Sequence, residues 1–281
     1  MRSRPATSRQ ESEVNAASET SKGRRIAFRV WAVVTSLWFL VLYGIGAFEL
    51  GLMWLPDQTL TSMFDEPADL PVHRTHFLIV GIVSLAFLLA TLVQLRKPER
   101  RVAPMLQLVA MALGGTIVYA YSGTLGEWLG EEGTVLVPVL VLALLHPKAR
   151  DLVTKPVFDR NMTVLAGITT IPWMAFVVDN SRLQLINAAG DAHAEMEHWA
   201  TAALLGITMV ACAVIGSTQH PGWRLSAWIA VGGSVILGVH SLVFSGLASG
   251  LAAFWAVAVI VWGVVFAATI LRRGRGGPDV A

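Results

Sequence analysis

Gly133-Thr-Val-Leu-Val-Pro-Val-Leu-Val-Leu-Ala-Leu-Leu-His146 decides how many times this chain crosses a membrane. The stretch is shorter than the ~20 apolar residues that a hydrocarbon layer about 30 Å thick asks of a helix. It carries Pro138, and Glu127, Glu131 and Glu132 stand before it. Charge on either side settles its reading. Lysine and arginine collect in cytoplasmic loops, and two basic loops, Arg96 to Arg101 and Lys148 to Arg160, flank the pair of apolar runs 103–122 and 133–146. Loops on one side of a membrane are separated by an even number of crossings, so 133–146 counts as a span.

The remaining apolar runs fall near 26–50, 75–95, 162–179, 199–218, 224–245 and 250–271. The fold class that follows is all-α: a polytopic integral membrane helical bundle of eight transmembrane helices in a cell membrane, with both termini cytoplasmic. Residues 26–271 form the membrane domain. Spans one to four and five to eight make two four-helix halves of the same orientation, a hint of a parallel repeat. Residues 1–25, rich in Ser, Arg and Glu, are expected to be an unfolded tail, and 272–281 a second cytoplasmic tail. Composition agrees: apolar residues are 54% of the chain and charged ones 14%, well below the roughly 25% charge of a soluble domain.

This topology places 19 of the 21 basic residues inside, leaving Arg74 and Arg182 outside, and 12 of the 19 acidic residues outside. Only the basic half carries orientation information, so the outer acidity calls for another explanation. Trp54, Trp128 and Trp199 near outer ends and Trp31, Trp223 and Trp228 near inner ends are placed as an interfacial aromatic belt would be, and any one of them could equally be core packing. The lipid bilayer is the obligatory partner. Gly126-x-x-x-Gly130 and Gly246-x-x-x-Gly250 have the spacing of helix-docking motifs, which would suit a membrane partner subunit or a homo-oligomer, although both overlap loops.

Several chemistries are excluded. The single cysteine, Cys212, can form neither an internal disulfide nor a thiolate cluster, which removes Cys-based zinc and iron–sulfur sites built from this chain. The sequence has no Walker-type loop, nucleophile elbow or H-E-x-x-H. Its four lysines, at 22, 97, 148 and 155, lie in the tail or inner loops, so no late helix offers a Schiff base. Nucleic acid is not an expected partner, since topology and anionic lipid account for the inner arginines.

The histidines are more informative. Five of the seven, His73, His76, His193, His198 and His240, fall at or near the outer face. The densest group is Asp191-Ala-His193-Ala-Glu195-Met-Glu197-His198 at the mouth of span six. In a continuous helix Asp191, Glu195 and His198 share one face, and His193 and Glu197 another. Glu195-x-x-His198 has the spacing of bundle metal ligands. His73-x-x-His76 follows Pro71, a residue suited to a first helical turn, and its two imidazoles lie on one side. His240 and Glu49 are ionisable groups at membrane depth, which read as functional by default because keeping them there costs about 3 kcal/mol unless they are paired or wet.

Imidazole and carboxylate without thiolate suit Zn, Cu, Fe or Ni. The expectation is an outward-facing site for a transition metal ion, with His193, Glu195, His198, His240 and Asp191 as its ligand set, or for haem b, with axial ligands drawn from His76, His198 and His240. Redox or metal-dependent chemistry would follow, with carboxylates orienting the imidazoles or relaying protons. The alternatives are a small-molecule or ion transporter and a structural or assembly subunit. Depth discriminates between them: a transporter keeps its polar groups near the midplane.

Overall fold

In lipid every backbone N–H and C=O must be satisfied within the chain, so apolar runs of this length become helices. The computed structural model describes residues 7–59, 70–130, 133–187 and 192–276. The regular elements among the described residues are helices, and an isolated bridge between Phe158 and Thr218 is the one β-type pairing among them. In chain order the helices are α1 (Thr7–Leu52), α2 (Leu70–Leu92), α3 (Val102–Tyr121), α4 (Leu125–Gly130), α5 (Gly133–Leu145), α6 (Arg160–Ile186), α7 (Ala192–Glu195), α8 (His198–Ser217), α9 (Trp223–Val243) and α10 (Ala253–Gly276).

Seven of these are long and apolar enough to cross a membrane: α1 from Lys22, α2, α3, α6, α8, α9 and α10. The segment that decided the sequence reading is a shorter apolar helix, Thr134–Leu145, helical through Pro138. Helix α1 extends back to Thr7 through the polar stretch expected to stay unfolded. Extending an existing helix needs no new nucleus. Residues 277–281 of the second tail lie outside the described residues, as do Asp65, Glu66, Asp69, Glu131, Glu132 and Asp191 of the acidic set.

The connections gather at two ends. At the basic end Arg24 donates to the carbonyl of Leu144 at 2.6 Å, the amide of Ala103 donates to Pro221 at 3.0 Å and that of Asp159 to Ser217 at 2.8 Å. At the opposite end Arg74, almost fully buried, donates to the carbonyls of Met53 at 2.6 Å and Leu55 at 2.7 Å, pairs with Asp57, and lies 4.3 Å over the Phe244 ring. Arg74, a basic residue the topology left outside, is thus a staple between α2 and the segment after α1.

Burial sorts the helices. The apolar windows of α2, α3 and α8 are 67% buried inside the protein and those of α1 and α6 only 28%, so the first three form the centre. The outer helices expose Val41, Ile45 and Phe48 on α1, and Val164, Ile168 and Ile171 on α6. Close crossings use small residues, as interfaces between membrane helices do. A side chain at Gly81 would stand 2.8 Å from Leu50 Cβ and 2.9 Å from the Gly46 carbonyl. Two of the six tryptophans near span ends are core packing: Trp128 is fully buried, stacks on Tyr119 at 4.7 Å and donates to Thr116 Oγ1 at 3.0 Å, and Trp199 is buried against histidines. Both fill the core because an indole brings large apolar area as well as one donor.

Candidate functional site

Two pairs of histidines meet at the end of the bundle opposite the basic loops. The first pair comes from the opening turns of α2, where His73 and His76 stand three residues apart and so share a side. The second comes from the segment before α8. There the continuous helix expected from the spacing of residues 191–198 is broken: α7 ends at Glu195, and Glu197 adopts φ 54° before α8 starts at His198. The left-handed residue is uncommon outside glycine and cancels the helical phase, so His193 and His198, which helical spacing puts on different faces, converge.

Their rings surround one centre. Going round it, His73 to His193 is 4.6 Å between centroids, His193 to His76 4.9 Å, His76 to His198 4.8 Å and His198 to His73 5.2 Å. The two diagonals are longer, 6.4 Å for His73 to His76 and 6.1 Å for His193 to His198. Six equal distances would make a tetrahedron; four short edges and two long diagonals make a figure flattened toward a square. Trp199 walls the group, edge-on to His76 at 5.1 Å and 5.3 Å from His193. Phe77 lies 5.9 Å from His198.

Hydrogen bonds fix these pieces. Gln184 of α6, fully buried, donates from Nε2 to the Ala194 carbonyl at 2.7 Å and accepts at Oε1 from the Ala200 amide at 3.2 Å, tying α7 and the first turn of α8 to one side chain. Glu197 supplies no side-chain cap to α8, so Gln184 does that work from another helix. His76 Nε2 stands 2.7 Å from Ser249 Oγ, Ser249 Oγ donates to Asn180 Oδ1 at 3.0 Å, and Asn180 Nδ2 donates to the Phe176 carbonyl at 2.9 Å. Among the described residues His76 Nδ1 and His198 Nδ1 are buried with no hydrogen-bond partner, and His73 and His193 bury their Nε2 atoms. Among the described residues no three His, Cys, Asp or Glu side chains stand as a ready ligand set for a metal ion.

The residues expected at the site divide. His76, His193 and His198 come together, and His73, three residues before His76 and outside the expected ligand set, joins them as the fourth imidazole. Glu195 is exposed, because α7 turns that side outward once the helix is broken. Asp191 lies outside the described residues. His240 is fully buried elsewhere, its ring 5.4 Å from Trp54 and 4.8 Å from Phe244, with both nitrogens lacking a hydrogen-bond partner among the described residues. Glu49 is half-buried on α1. Gln184, Asn180 and Ser249 gave no signal in the sequence, since their function depends on long-range contacts.

Below Ser249 and Asn180 a groove of about 450 Å³ runs between α6 and the start of α10, lined by Ile171, Trp173, Phe176, Asp179, Leu251 and Trp255 among others. Trp173 is buried there with its indole N–H unpartnered. Comparison of the chain with known protein families, with characterised proteins and with solved structures gives no match.

Proposed function

We propose that this chain is an eight-crossing protein of the cell membrane, both termini cytoplasmic, whose outward-facing end uses His73, His76, His193 and His198 to hold a transition metal ion for redox or metal-dependent chemistry. The observation that carries the reading is the placement of four imidazoles from two separate segments about one centre. Their six separations put the ring centroids about 3 Å from it, close to where an imidazole bound to an ion through a nitrogen ~2 Å away would have its own centroid. The buried Nδ1 atoms of His76 and His198 supply lone pairs or protons that nothing among the described residues satisfies, and buried polar atoms of that kind ask for a partner. Ring placement supports the reading; binding requires the imidazoles to turn their nitrogens inward.

Imidazole-only donors suit Cu, Ni, Zn or Fe, and the flattened figure of the four rings favours the tetragonal preference of Cu(II) or Ni(II) over tetrahedral Zn(II). Bound by neutral ligands, such an ion keeps its full charge and supplies Lewis-acid or one-electron chemistry. The chain's own contribution is positional: Gln184 holds the His193–His198 segment, Trp199 and Phe77 exclude water from one side, and the groove under Ser249 admits a lipid-soluble small molecule from the bilayer.

A haem between His76 and His198 is disfavoured, because centroids 4.8 Å apart leave less than the ~6 Å that two axial imidazoles across an iron occupy. His240 faces Trp54 and Phe244 instead. Transport is disfavoured by depth: the described buried histidines and charged residues are Arg74, His73, His76, His198 and His240 toward one end and His146 at the other. The eighth crossing is supported by α5, whose last turn meets Arg24 at the basic end.

The test is metal loading of chelator-treated protein in nanodiscs with Cu(II), Ni(II) or Zn(II), followed by metal analysis. One tightly held equivalent per chain, lost in His198→Ala and in His73→Ala and retained in Glu195→Ala, is expected. Uptake that ignores the four histidines would overturn the assignment.

A further inference from the structure

We propose that Asn180 and Ser249 lock His76 in its Nε2–H tautomer, so that Nδ1 is the nitrogen His76 offers to whatever occupies the centre of the four imidazoles. The Asn180 amide faces the Phe176 carbonyl at 2.9 Å. A carbonyl only accepts, so the NH2 group must face it, and Oδ1 is left as the acceptor on the other side. Ser249 Oγ lies 3.0 Å from that Oδ1, and an amide oxygen cannot donate. The one hydroxyl proton of Ser249 is therefore committed to Asn180. Toward its remaining neighbour, His76 Nε2 at 2.7 Å, Ser249 Oγ can only accept. His76 Nε2 must then carry the proton, because the other tautomer would set two lone pairs against each other at that distance. A neutral imidazole has one N–H, so Nδ1 keeps its lone pair, and it is this atom that is buried without a hydrogen-bond partner among the described residues.

The backbone adds an independent sign that the hydroxyl matters. Ser249 sits at φ 56°, a conformation that glycine adopts freely and other residues rarely do. The loop around it is pinned by the Gly250 amide on the Leu247 carbonyl at 3.1 Å and by the Leu251 amide on Ser241 Oγ at 3.0 Å. A side chain is thus kept where glycine would be easier, and its one polar contact set is His76 and Asn180. Fixing a ligand's tautomer through the ring nitrogen remote from the ion is the usual task of groups just behind metal-binding histidines. The tautomer assignment stands by itself; only the statement that Nδ1 binds an ion rests on the metal reading above.

The experiment measures the tautomer directly, on chelator-treated, ¹⁵N-histidine-labelled full-length protein in nanodiscs at pH 8. The His76 signals are identified by their loss in His76→Gln. The wild type is expected to show Nε2 protonated and Nδ1 bare. Ser249→Gly, which removes the hydroxyl while relieving the left-handed backbone, should release the ring into a mixture of tautomers, and Ser249→Ala should do the same. Asn180→Asp keeps an acceptor for the serine proton and should retain the wild-type tautomer. A protonated Nδ1 in the wild type, or a tautomer unchanged in both serine variants, would overturn the proposal. Cu(II) titration of the same samples separates the two readings: Ser249→Gly should bind about 10-fold or more weakly, whereas a locked tautomer in a wild type that binds no Cu(II) upholds the lock and sinks the metal site alone.

Discussion

Replacing Gln184 by Leu tests how the histidines are assembled. The side chain is 1% exposed and makes two hydrogen bonds, to the Ala194 carbonyl at 2.7 Å and from the Ala200 amide at 3.2 Å. Leucine fills nearly the same volume and can do neither. Each bond is worth about 1 kcal/mol net, and a buried donor left unsatisfied costs about 1–3 kcal/mol. Because Glu197 does not cap α8, the Ala200 amide has no substitute acceptor from its own N-cap side chain. Opening of the segment that carries His193 and His198 should therefore become easier by about 2–4 kcal/mol, which is a factor of about 30 to 1,000 in local exchange. Hydrogen exchange of the peptide covering residues 196–206, compared between wild type and Gln184→Leu in nanodiscs, reads this directly. Gln184→Glu, which keeps an acceptor for Ala200, should fall between them. Exchange in the leucine variant within a factor of about three of wild type would refute the bracket.

Three further outcomes follow from other parts of the fold. His146 is buried at the basic end, donating from Nε2 to the Pro98 carbonyl at 3.1 Å and accepting at Nδ1 from the Lys148 amide at 3.1 Å, and burial holds its pKa below the ordinary histidine value of 6.5. The unfolded chain then takes up the proton first as pH falls, so this contribution is full above about pH 6.5 and is lost below it. The thermal midpoint of wild type should accordingly drop more between pH 7.5 and 5.5 than that of His146→Gln, and equal drops would refute the assignment. Gly81→Val places atoms where Leu50 Cβ and the Gly46 carbonyl already stand and should cost about 1–3 kcal/mol, seen as a lowered unfolding midpoint, whereas Gly23→Val, with open space around it, should leave the midpoint in place. Trp128→Phe, which loses the bond to Thr116 and empties the space that the indole's six-membered ring fills against Gly115, should cost about 2–4 kcal/mol in the same measurement.

Much of this architecture is legible in the sequence, because span length and apolar composition are set by the bilayer and need no tertiary information. The candidate site is legible only in part. His73 and His76 meet because their spacing lies within one helix, which a sequence displays. His193 and His198 meet because Glu197 takes a left-handed conformation, and nothing in Glu-Met-Glu-His announces a break there; the assumption of a continuous helix put Glu195 beside His198 when it is exposed. His240 shares the histidine-rich end and yet packs on Trp54 and Phe244, since depth along a helix says nothing of the direction in which a side chain points. Apart from the Asn180 bond to Phe176 within α6, Gln184, Asn180 and Ser249 act through hydrogen bonds to residues 10 to 173 positions away in the chain, and such pairings emerge only when the helices are assembled.

X-ray absorption at the metal edge of Cu(II)-loaded wild type is the most direct test of the central claim, because it counts the ligands and identifies them. Four nitrogen scatterers at ~2 Å with the multiple-scattering signature of imidazole, falling to three in a His73→Ala sample, are the predicted result. A first shell dominated by oxygen, or one whose imidazole count is unchanged by removal of His73, His76, His193 or His198, would contradict it.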